Sequence, residues 1–537
     1  MDLVEDYLRI YPDRKRRLLL GRTDYRFYDS AGQVRPRSET YVLSSRRVRQ
    51  YGSLYHNREK EAAEGFAAGG TNWVKGADGA VITTTLLGKM LTLALNKFLL
   101  LDQEGMGMEM EGGKPGWNDA MNGLPGLFGS SMAETLELDR LLSFLTASLA
   151  DGTVEGEVSL PAEILALLDG IAGILEEHGM DGAARWDAAA SLRERYRAGV
   201  YAGMSGETGQ RSAVQILSVL EECGQAVRTG IENAWRLGNG IMPTYFTYEA
   251  AEYETRRDAE GREELTPYGL PGVLVKKFVR RAVPPFLEGP ARMLSCMEGC
   301  ELQKKQMHDR IRESDMYDRK LKMYKTSGSI EEISMEHGRV RAFTPGWLER
   351  ESVFLHMEYK YLLGLLRSGM AEEFYEAMRD ALVPFLPPEM YGRSTLENSS
   401  FIASSANPDE KVHGRGFVAR LSGSTTEMLS MWIRMFLGDG GFCLEDGELR
   451  FVLHPVLPGW LFDGNGEAAF TLMSCCRLTC RNAERRNTYG GNSVQVKEIA
   501  LHYADGREEH VAGDTLPAAQ AQALRAGRIC DMTAVLA

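Results

Sequence analysis

The densest group of residues that could do chemistry lies in a glycine-rich loop, EMEGGKPGWNDAMNGLPGLFGSSMAET, at residues 109–135. Glycines let a backbone approach a ligand closely, and the indole of Trp117 offers a flat face for a sugar ring. Asn118 and Asn122 can hydrogen-bond sugar hydroxyls, and Asp119 can carry a proton. This composition favours a ligand-binding loop over an elaborate turn, which is the structural alternative.

Two further segments carry residues suited to an anion. His356 stands at the start of a predicted helix, HMEYKYLLGLLRSGM, where a half-buried structural histidine is the simpler interpretation of that residue alone. In HGRGFVARLSGSTTEMLSMW, Ser422 and Gly423 precede a helix predicted to begin near Thr425. Backbone N–H groups and the positive end of the helix dipole suit such a position to phosphate. Ser424 or Thr425 can cap the same helix, and the two roles are compatible.

The elements that must position these residues are mainly helical. Apolar residues recur at helical spacing in segments separated by loops with Gly or Pro, namely residues 84–101, 134–150, 160–178, 183–200, 211–236, 290–325, 353–386 and 425–437. Beyond Gly438 the spacing alternates as in strands, and Ala504-Asp505-Gly506 supplies a hairpin turn. This order predicts a mainly α protein, with a helical barrel-like domain at residues 1–437 and a β-rich domain at residues 438–537. Stacked helical repeats are disfavoured because no repeat period is present.

Two other segments are predicted to have structural roles. The aromatic residues Tyr245, Phe246 and Tyr248 could form a sugar platform, but core packing is the preferred interpretation. Residues 250–270, AAEYETRRDAEGREELTPYGL, are charged and broken by glycine. They therefore predict a solvated surface loop.

Composition and charge argue against several function classes. The net charge of −13 and the pI near 5.4 disfavour a nucleic-acid partner, because phosphate backbones are bound by clustered Lys and Arg. The first residues lack the apolar core of a signal peptide, and no run reaches the roughly 18 apolar residues of a membrane span. We therefore expect a cytoplasmic protein without membrane association. The eight cysteines include no paired Cys-x-x-Cys elements, so no metal site is assigned.

The loop residues Gly116-Trp117-Asn118-Asp119 resemble the Trp-Asn-Asp motif of the cellobiose phosphorylase family. This resemblance implies that Asp119 is the general acid and that Trp117 and Asn118 bind the sugar. The continuation NGLPGLFGSSMAET is most similar to the branch that includes 1,2-β-oligoglucan phosphorylase. Other members usually keep Asp at the position of Gly116, which favours this branch over cellobiose itself.

The same resemblance implies phosphate ligands. The segment around His356 resembles the family segment whose histidine contacts phosphate, and Ser422 and Gly423 resemble the family's hydroxyl-plus-glycine pair. The implied reaction is inverting phosphorolysis of a β-glucan, with inorganic phosphate as co-substrate and no other cofactor. One carboxylic acid suffices there because phosphate itself attacks the sugar. The implied products are α-glucose 1-phosphate and a glucan shortened by one unit.

Several alternatives to this interpretation stay open. Members of the family are about twice as long, so the resemblance implies an (α/α)6 barrel that is incomplete at its N-terminus and lacks the family's upstream phosphate arginine. A split enzyme with a separate N-terminal half, a homo-oligomer or a non-catalytic glucan-binding protein would each fit this departure. An inverting hydrolase would need a second carboxylate, for which Glu397 and Glu111 are the candidates.

Overall fold

The computed structural model describes residues 1–63, 72–114, 116–177, 179–418 and 423–537. The α-helices of these residues are α1 (Asp2–Ile10), α2 (Lys15–Leu20), α3 (Arg37–Thr40), α4 (Arg58–Ala63), α5 (Leu86–Phe98), α6 (Met132–Ala150), α7 (Ala162–Glu176), α8 (Gly182–Ala202), α9 (Ala213–Leu237), α10 (Glu288–Cys296), α11 (Glu301–Glu313), α12 (Leu355–Arg367), α13 (Ala371–Ala381), α14 (Pro388–Tyr391), α15 (Ser424–Leu437) and α16 (Ala518–Arg525).

The strands are short apart from one long pair. They are β1 (Tyr25–Arg26), β2 (Gly32–Val34), β3 (Tyr41–Ser44), β4 (Arg47–Gln50), β5 (Leu54–His56), β6 (Thr83–Thr84), β7 (Met108–Glu109), β8 (Ser130–Ser131), β9 (Glu157–Pro161), β10 (Thr208–Ser212), β11 (Tyr245–Thr255), β12 (Val273–Ala282), β13 (Tyr317–Asp318), β14 (Met323–Tyr324), β15 (Val353–Phe354), β16 (Phe401–Ile402), β17 (Gly416–Phe417), β18 (Gly441–Glu445), β19 (Glu448–Val452), β20 (Glu467–Leu472), β21 (Cys476–Arg481), β22 (Val496–Tyr503), β23 (Glu508–Ala512), β24 (Thr515–Leu516) and β25 (Ile529–Leu536).

The chain divides into two compact units. The larger unit comprises Leu19–Tyr361 and Leu386–Arg420, and the smaller unit comprises Met1–Leu18, Leu362–Phe385 and Leu421–Ala537. Residues 438–537, predicted as a separate domain, therefore share their compact unit with segments from much earlier in the chain. The fold is a mixed helical fold with small sheets. The predicted arrangement of the helices in a toroid stays a prediction.

The core of the larger unit is a group of packed helices. Helix α6 packs against α5, α9 and α10, and α7 packs against α5, α8 and α9. Helices α5, α8 and α9 begin where side chains satisfy free N–H groups of the first turn. Thr85 caps α5, Asp181 caps α8, and Ser212 forms a capping box with Gln215 at α9. The helices predicted from the apolar spacing at residues 84–101, 134–150, 160–178, 183–200 and 211–236 are confirmed as α5 to α9.

The predicted loop at residues 250–270 is wrong in its first part. Strand β11 runs on to Thr255 and pairs with β12 in a long antiparallel ribbon, with irregularities between Ala250 and Tyr253. Strand β11 is almost continuously exposed from Glu249 onward, so its composition resembles that of a solvated loop, which explains the error. At the start of β11, Tyr245, Phe246 and Tyr248 are buried, so the prediction of core packing for them is confirmed.

The smaller unit contains the β structure predicted near the C-terminus. Five strands form one sheet in the order β20-β21-β25-β22-β23, in which β21 and β25 are parallel and the other neighbours are antiparallel. The residues after Tyr503 turn the chain from β22 into β23, which confirms the hairpin. Across the described residues, no helix combines the length and apolar character that crossing a membrane requires.

Candidate functional site

The loop that carries Trp117 and Asp119 is held at both ends by the strand region before it. The Gln50 side-chain amide donates hydrogen bonds to the carbonyl oxygens of Met110 and Pro125, over 2.9 and 2.7 Å. The backbone N–H and the hydroxyl of Ser53 both donate to the carbonyl of Gly112, over 2.6 and 2.7 Å. The loop is therefore fixed by backbone hydrogen bonds, although it contains many glycines.

Two of these glycines are required by close backbone approach. A Cβ at Gly112 would collide with the carbonyl oxygen of Tyr51, and a Cβ at Gly123 would collide with the carbonyl oxygen of Glu336. The N–H of Gly123 also donates to the carbonyl of His337 over 3.1 Å. Glycine is the residue that permits such contacts because it has no side chain.

Asp119 projects from a short 3₁₀ helix whose other residues are buried. The helix spans Asp119–Met121, and Asn118 caps it by accepting a hydrogen bond from the N–H of Ala120 over 3.2 Å. Ala120 and Met121 lie in a hydrophobic cluster, whereas the side chain of Asp119 is 76% exposed. The buried flank thus presents the Asp119 carboxyl to solvent. Asn118 is only 2% exposed, so its side chain serves this cap; sugar binding by Asn118 stays a prediction.

Trp117 is oriented by contacts at its ring and at its N–H. Its ring stacks on Phe354, with centroids 5.5 Å apart and planes 23° apart. Burial raises the pKa of Glu288, and a hydrogen bond from the Trp117 side chain opposes that rise. With 43% of its surface exposed, Trp117 keeps part of its ring available to a ligand. A fixed and partly exposed indole is suited to stacking on a sugar.

Phe354 belongs to a row of stacked rings that crosses a three-stranded sheet. Residues Phe354, Phe401 and Phe417 are direct cross-strand partners in the order β15-β16-β17, so their side chains share one face. The ring centroids are 4.7 Å apart between Phe354 and Phe401 and 5.4 Å apart between Phe401 and Phe417. Trp347 stacks on Phe417 at 3.6 Å, so the row has an indole at each end.

His356 lies beside the same row. It is the second residue of α12, it is half-buried, and its ring meets Phe354 edge to face with centroids 6.0 Å apart. The contact of both Trp117 and His356 with Phe354 brings two of the predicted site residues together. Phosphate binding by His356 stays a prediction.

A cation and a second carboxyl accompany Asp119. The Arg339 Nη2 atom lies 4.0 Å from Asp119 Oδ2, and the Arg339 side chain is 55% exposed. Burial raises the pKa of Glu349, the Arg339 guanidinium opposes that rise, and the negative charge of Asp119 adds to it. Asp119, Arg339 and Glu349 therefore form an electrostatically coupled group, and a proton on Glu349 relieves the repulsion between the two carboxyls.

The remaining predicted residues are Ser422, Gly423, Glu111 and Glu397. Gly423 belongs to the smaller unit, where it is the N-cap residue of α15, and Ser422 lies outside the described residues. Burial raises the pKa of Glu111, but the charge and hydrogen bond of Arg197 outweigh burial and lower that pKa to about 2. The Glu397 Oε1 atom lies 3.5 Å from the Arg393 Nη2 atom. Both candidates for a second carboxylate are therefore engaged by an arginine.

An open groove of about 450 Å³ runs along the loop on the side of Tyr51. It is lined by Gly112, Gly113, Asn122 and Gly123. The exposed Asn122 can offer its amide to a hydroxyl group in this groove, as predicted from its residue type. The groove gives an extended ligand a path along the loop.

The sequence-based reasoning missed Phe354, Arg339 and Glu349. Alternation at Val353-Phe354 and Phe401-Ile402 could have indicated paired strands, but each strand is too short to give a periodic signal. Arg339 and Glu349 gain significance from their proximity to Asp119, which no local pattern encodes.

The comparisons with known proteins leave the family open. The sequence matches no protein-family model and no curated protein. The solved structure of an uncharacterized conserved protein from Thermus thermophilus is similar over 64% of this chain and 92% of that chain, at 12% identity and a TM-score of 0.23. At that TM-score the similarity supports no inference about fold or function.

Proposed function

We propose that the chain is an inverting glycoside phosphorylase that converts β-1,2-linked gluco-oligosaccharides and phosphate to α-glucose 1-phosphate. One observation carries the proposal: an exposed carboxyl, Asp119, two residues from a fixed and partly exposed indole, Trp117, with the Arg339 guanidinium 4.0 Å from that carboxyl. The arrangement supplies a proton donor, a sugar-stacking surface and a cation for an anion. The resemblance of the loop to the Trp-Asn-Asp motif supports the substrate class.

In this mechanism Asp119 protonates the glycosidic oxygen as the bond to the anomeric carbon breaks. A phosphate oxygen attacks that carbon from the opposite face, so the product has the α configuration. Arg339 offers a charge-assisted contact to the incoming anion, and His356 adds a second polar contact. Glu349 retains a proton more readily than an ordinary glutamate and can donate a hydrogen bond to a sugar hydroxyl.

The proposal includes finer statements about architecture and partners. The helices of the chain would form part of an (α/α)6 barrel, and the protein would act in the cytoplasm. Its ligands would be a β-gluco-oligosaccharide and inorganic phosphate. A separate N-terminal half or a second copy of the chain would be its protein partner.

The deciding experiment measures α-glucose 1-phosphate released from β-1,2-linked glucotriose with phosphate. The wild-type chain is compared with Asp119→Asn and with Asp446→Asn, an exposed turn residue that serves as the matched control. Activity in the wild type and the control that is lost in Asp119→Asn supports the proposal. The contrary result is a folded wild-type chain that binds glucotriose but shows no turnover, even when a separate N-terminal half is added. That result contradicts the proposal and favours a non-catalytic glucan-binding protein.

The coupling of Glu349 to Asp119 favours a second candidate, an inverting glycoside hydrolase. A hydrolase needs a second carboxylate that activates water on the opposite face of the sugar. The same assay without phosphate separates the two candidates. The control for this variant is Glu332→Gln, because Glu332 is an exposed glutamate. Release of free glucose from the β-linked substrate without phosphate, with loss in Glu349→Gln and not in Glu332→Gln, would establish the hydrolase.

A further inference from the structure

A second site in the larger unit is distinct from the surface around Asp119. A cavity of about 370 Å³ lies between the β2 region, α3, α8 and the two ends of the Trp117 loop. The lining of the cavity includes Met110 and Gly129, which lie on either side of Trp117 in the loop, but it does not include Asp119. Cavities of this size accommodate small organic ligands.

The charged side chains around the cavity occur as pairs of opposite sign. Arg35 lies 2.9 Å from Glu39, Arg37 lies 3.1 Å from Glu194, and Arg197 contacts Glu111. Because each guanidinium faces a carboxylate, the lining has little net charge. An anion such as phosphate needs an excess of positive charge, so this lining disfavours it. A neutral ligand with many hydroxyls can accept from the guanidinium groups and donate to the carboxylates.

The fourth pair leaves hydrogen-bonding capacity unused. Arg193 is only 3% exposed, and its Nη2 atom lies 3.6 Å from the Glu109 carboxylate. The Arg193 Nε–H has no hydrogen-bond partner, although it is buried. A buried donor without a partner is costly, although this atom is itself shielded from the cavity. Burial raises the pKa of Glu109 to about 7, so this carboxyl can donate or accept near neutral pH.

Aromatic side chains provide apolar surface next to these polar groups. Tyr41, Tyr55 and Tyr201 line the cavity together with Phe128. The Arg35 guanidinium lies 4.5 Å from the centre of the Tyr55 ring, which fixes that ring in the wall. Tyrosine faces next to paired guanidinium and carboxylate groups match a sugar, which has apolar C–H faces and a rim of hydroxyls.

We propose that this cavity binds a neutral saccharide, one end of a β-gluco-oligosaccharide, at the base of the Trp117 loop. The identity of the sugar rests on the proposed function, whereas the existence of the site rests on the cavity and its lining. Glu109 and Glu111 lie before Trp117 in the loop and Phe128 lies after it, so an occupant contacts both arms of the loop at once. Binding there would couple glucan occupancy to the position of Trp117 and Asp119.

The test fills the cavity without removing any polar group. Ala198 is an exposed residue of α8 that lines the cavity, and Ala202 is exposed one turn further along the same helix and outside the lining. Calorimetry with β-1,2-linked glucotriose is expected to show two binding events for the wild type and for Ala202→Trp. Ala198→Trp should lose one event, and Trp117→Ala should lose the other. Unchanged stoichiometry in a folded Ala198→Trp would overturn the proposal.

A second measurement covers the case in which the tryptophan disturbs folding. The smaller change Ala198→Cys allows alkylation by iodoacetamide to be followed at this position by peptide mass, with Ala202→Cys as the control. Glucotriose should slow alkylation at residue 198 at least severalfold and leave residue 202 unaffected. Equal rates at residue 198 with and without glucotriose contradict the inference.

The two proposals fail in distinguishable ways. Protection of residue 198 without release of α-glucose 1-phosphate would leave the saccharide site and remove the phosphorylase. Phosphorolysis without protection of residue 198 would support the phosphorylase and contradict the saccharide site.

Discussion

The indole of Trp117 lies against the phenyl ring of Phe354, with planes 23° apart and centroids separated by 5.5 Å. This contact joins the loop that carries Asp119 to the strand that precedes His356. The Asp119 carboxyl and His356 are far apart in the sequence. Through Trp117 and Phe354 they are held next to the same aromatic surface.

Removal of the Trp117 ring should weaken glucan binding without unfolding the protein. Trp117→Ala loses the stacking surface, and we expect KM for glucotriose to rise about tenfold, which corresponds to ~1.4 kcal/mol. Trp117→Phe keeps a ring that can stack on Phe354 and should raise KM less than threefold, as a rough bound on the loss of one ring. Steady-state kinetics with thermal melting of each variant check this, and equal KM values for the two variants would contradict it.

Gly123 should be intolerant of a methyl group, whereas Gly116 should accept one. A Cβ at Gly123 meets the backbone of Glu336, while a Cβ at Gly116 has only the end of the Met110 side chain, 3.7 Å away. We therefore expect Gly123→Ala to lower the free energy of unfolding by about 1–3 kcal/mol, and Gly116→Ala to change it by less than about 0.5 kcal/mol. Urea unfolding of both variants tests this difference.

The group at Asp119 should divide into roles that kinetics can separate. Arg339→Gln removes a cation that can contact phosphate, so KM for phosphate should rise about tenfold with little change in KM for glucan. Arg195→Gln removes an exposed arginine of α8 and serves as the control. If Arg339→Gln raised only KM for glucan, its assignment to phosphate would be wrong.

Glu349→Gln tests the protonated carboxyl. Gln retains a hydrogen-bond donor and stands in for the protonated carboxyl that burial favours, so kcat of the variant should stay within a fewfold of the wild-type value at pH values below the raised pKa of Glu349. In wild type, ionisation of Glu349 at higher pH should reduce kcat, and this decline should be absent in Glu349→Gln. The pH profile of kcat for both proteins, with Glu332→Gln as control, measures the effect.

Glu358 should make stability depend on pH. It is fully buried, and burial raises its pKa from 4.5 to about 8, while a hydrogen bond from the Tyr324 N–H opposes the rise. Between these two values the unfolded chain releases a proton that the folded chain retains, so stability falls as pH rises from about 4.5 to about 8 and then levels off. Glu358→Gln cannot ionise and should remove this part of the slope.

The measurement is urea unfolding of wild type and Glu358→Gln at about pH 5, 6.5 and 8. The difference between the two proteins isolates Glu358 from the other buried carboxyls. The free energy of unfolding of the variant should increase relative to that of the wild type as pH rises, by an amount on the order of a few kcal/mol over the whole interval. A difference that does not change with pH would mean that Glu358 is not the titrating group.

The helices could be predicted from the sequence because burial follows their period. Leu87, Leu91 and Leu95 recur every fourth residue in α5, and each is at most 1% exposed. Residues 290–325 show where this fails. Helix α11 ends at Glu313, and the Asp318 carboxylate accepts hydrogen bonds from the N–H groups of Lys320 and Leu321, which turns the chain between two short strands. Apolar spacing does not encode such a turn.

The candidate site could be predicted in part. The composition of the loop identified Trp117 and Asp119, because glycines and a lone indole between apolar helices have few structural roles. Asn118 belongs to the same motif, yet its side chain caps the helix of Asp119. The partners Phe354, Arg339 and Glu349 meet the loop only through tertiary structure, so residue types alone could not select them.

The row of rings across β15, β16 and β17 also bears on how the protein folds. Trp117, Phe354 and Phe417 come from widely separated parts of the chain, and each ring requires its neighbour to be in place. Contacts between distant segments carry a large loop-closure entropy and form slowly compared with the local contacts of helices. Ligand-binding competence should therefore develop after the helical circular dichroism signal during refolding, as the last cooperative step of the larger unit.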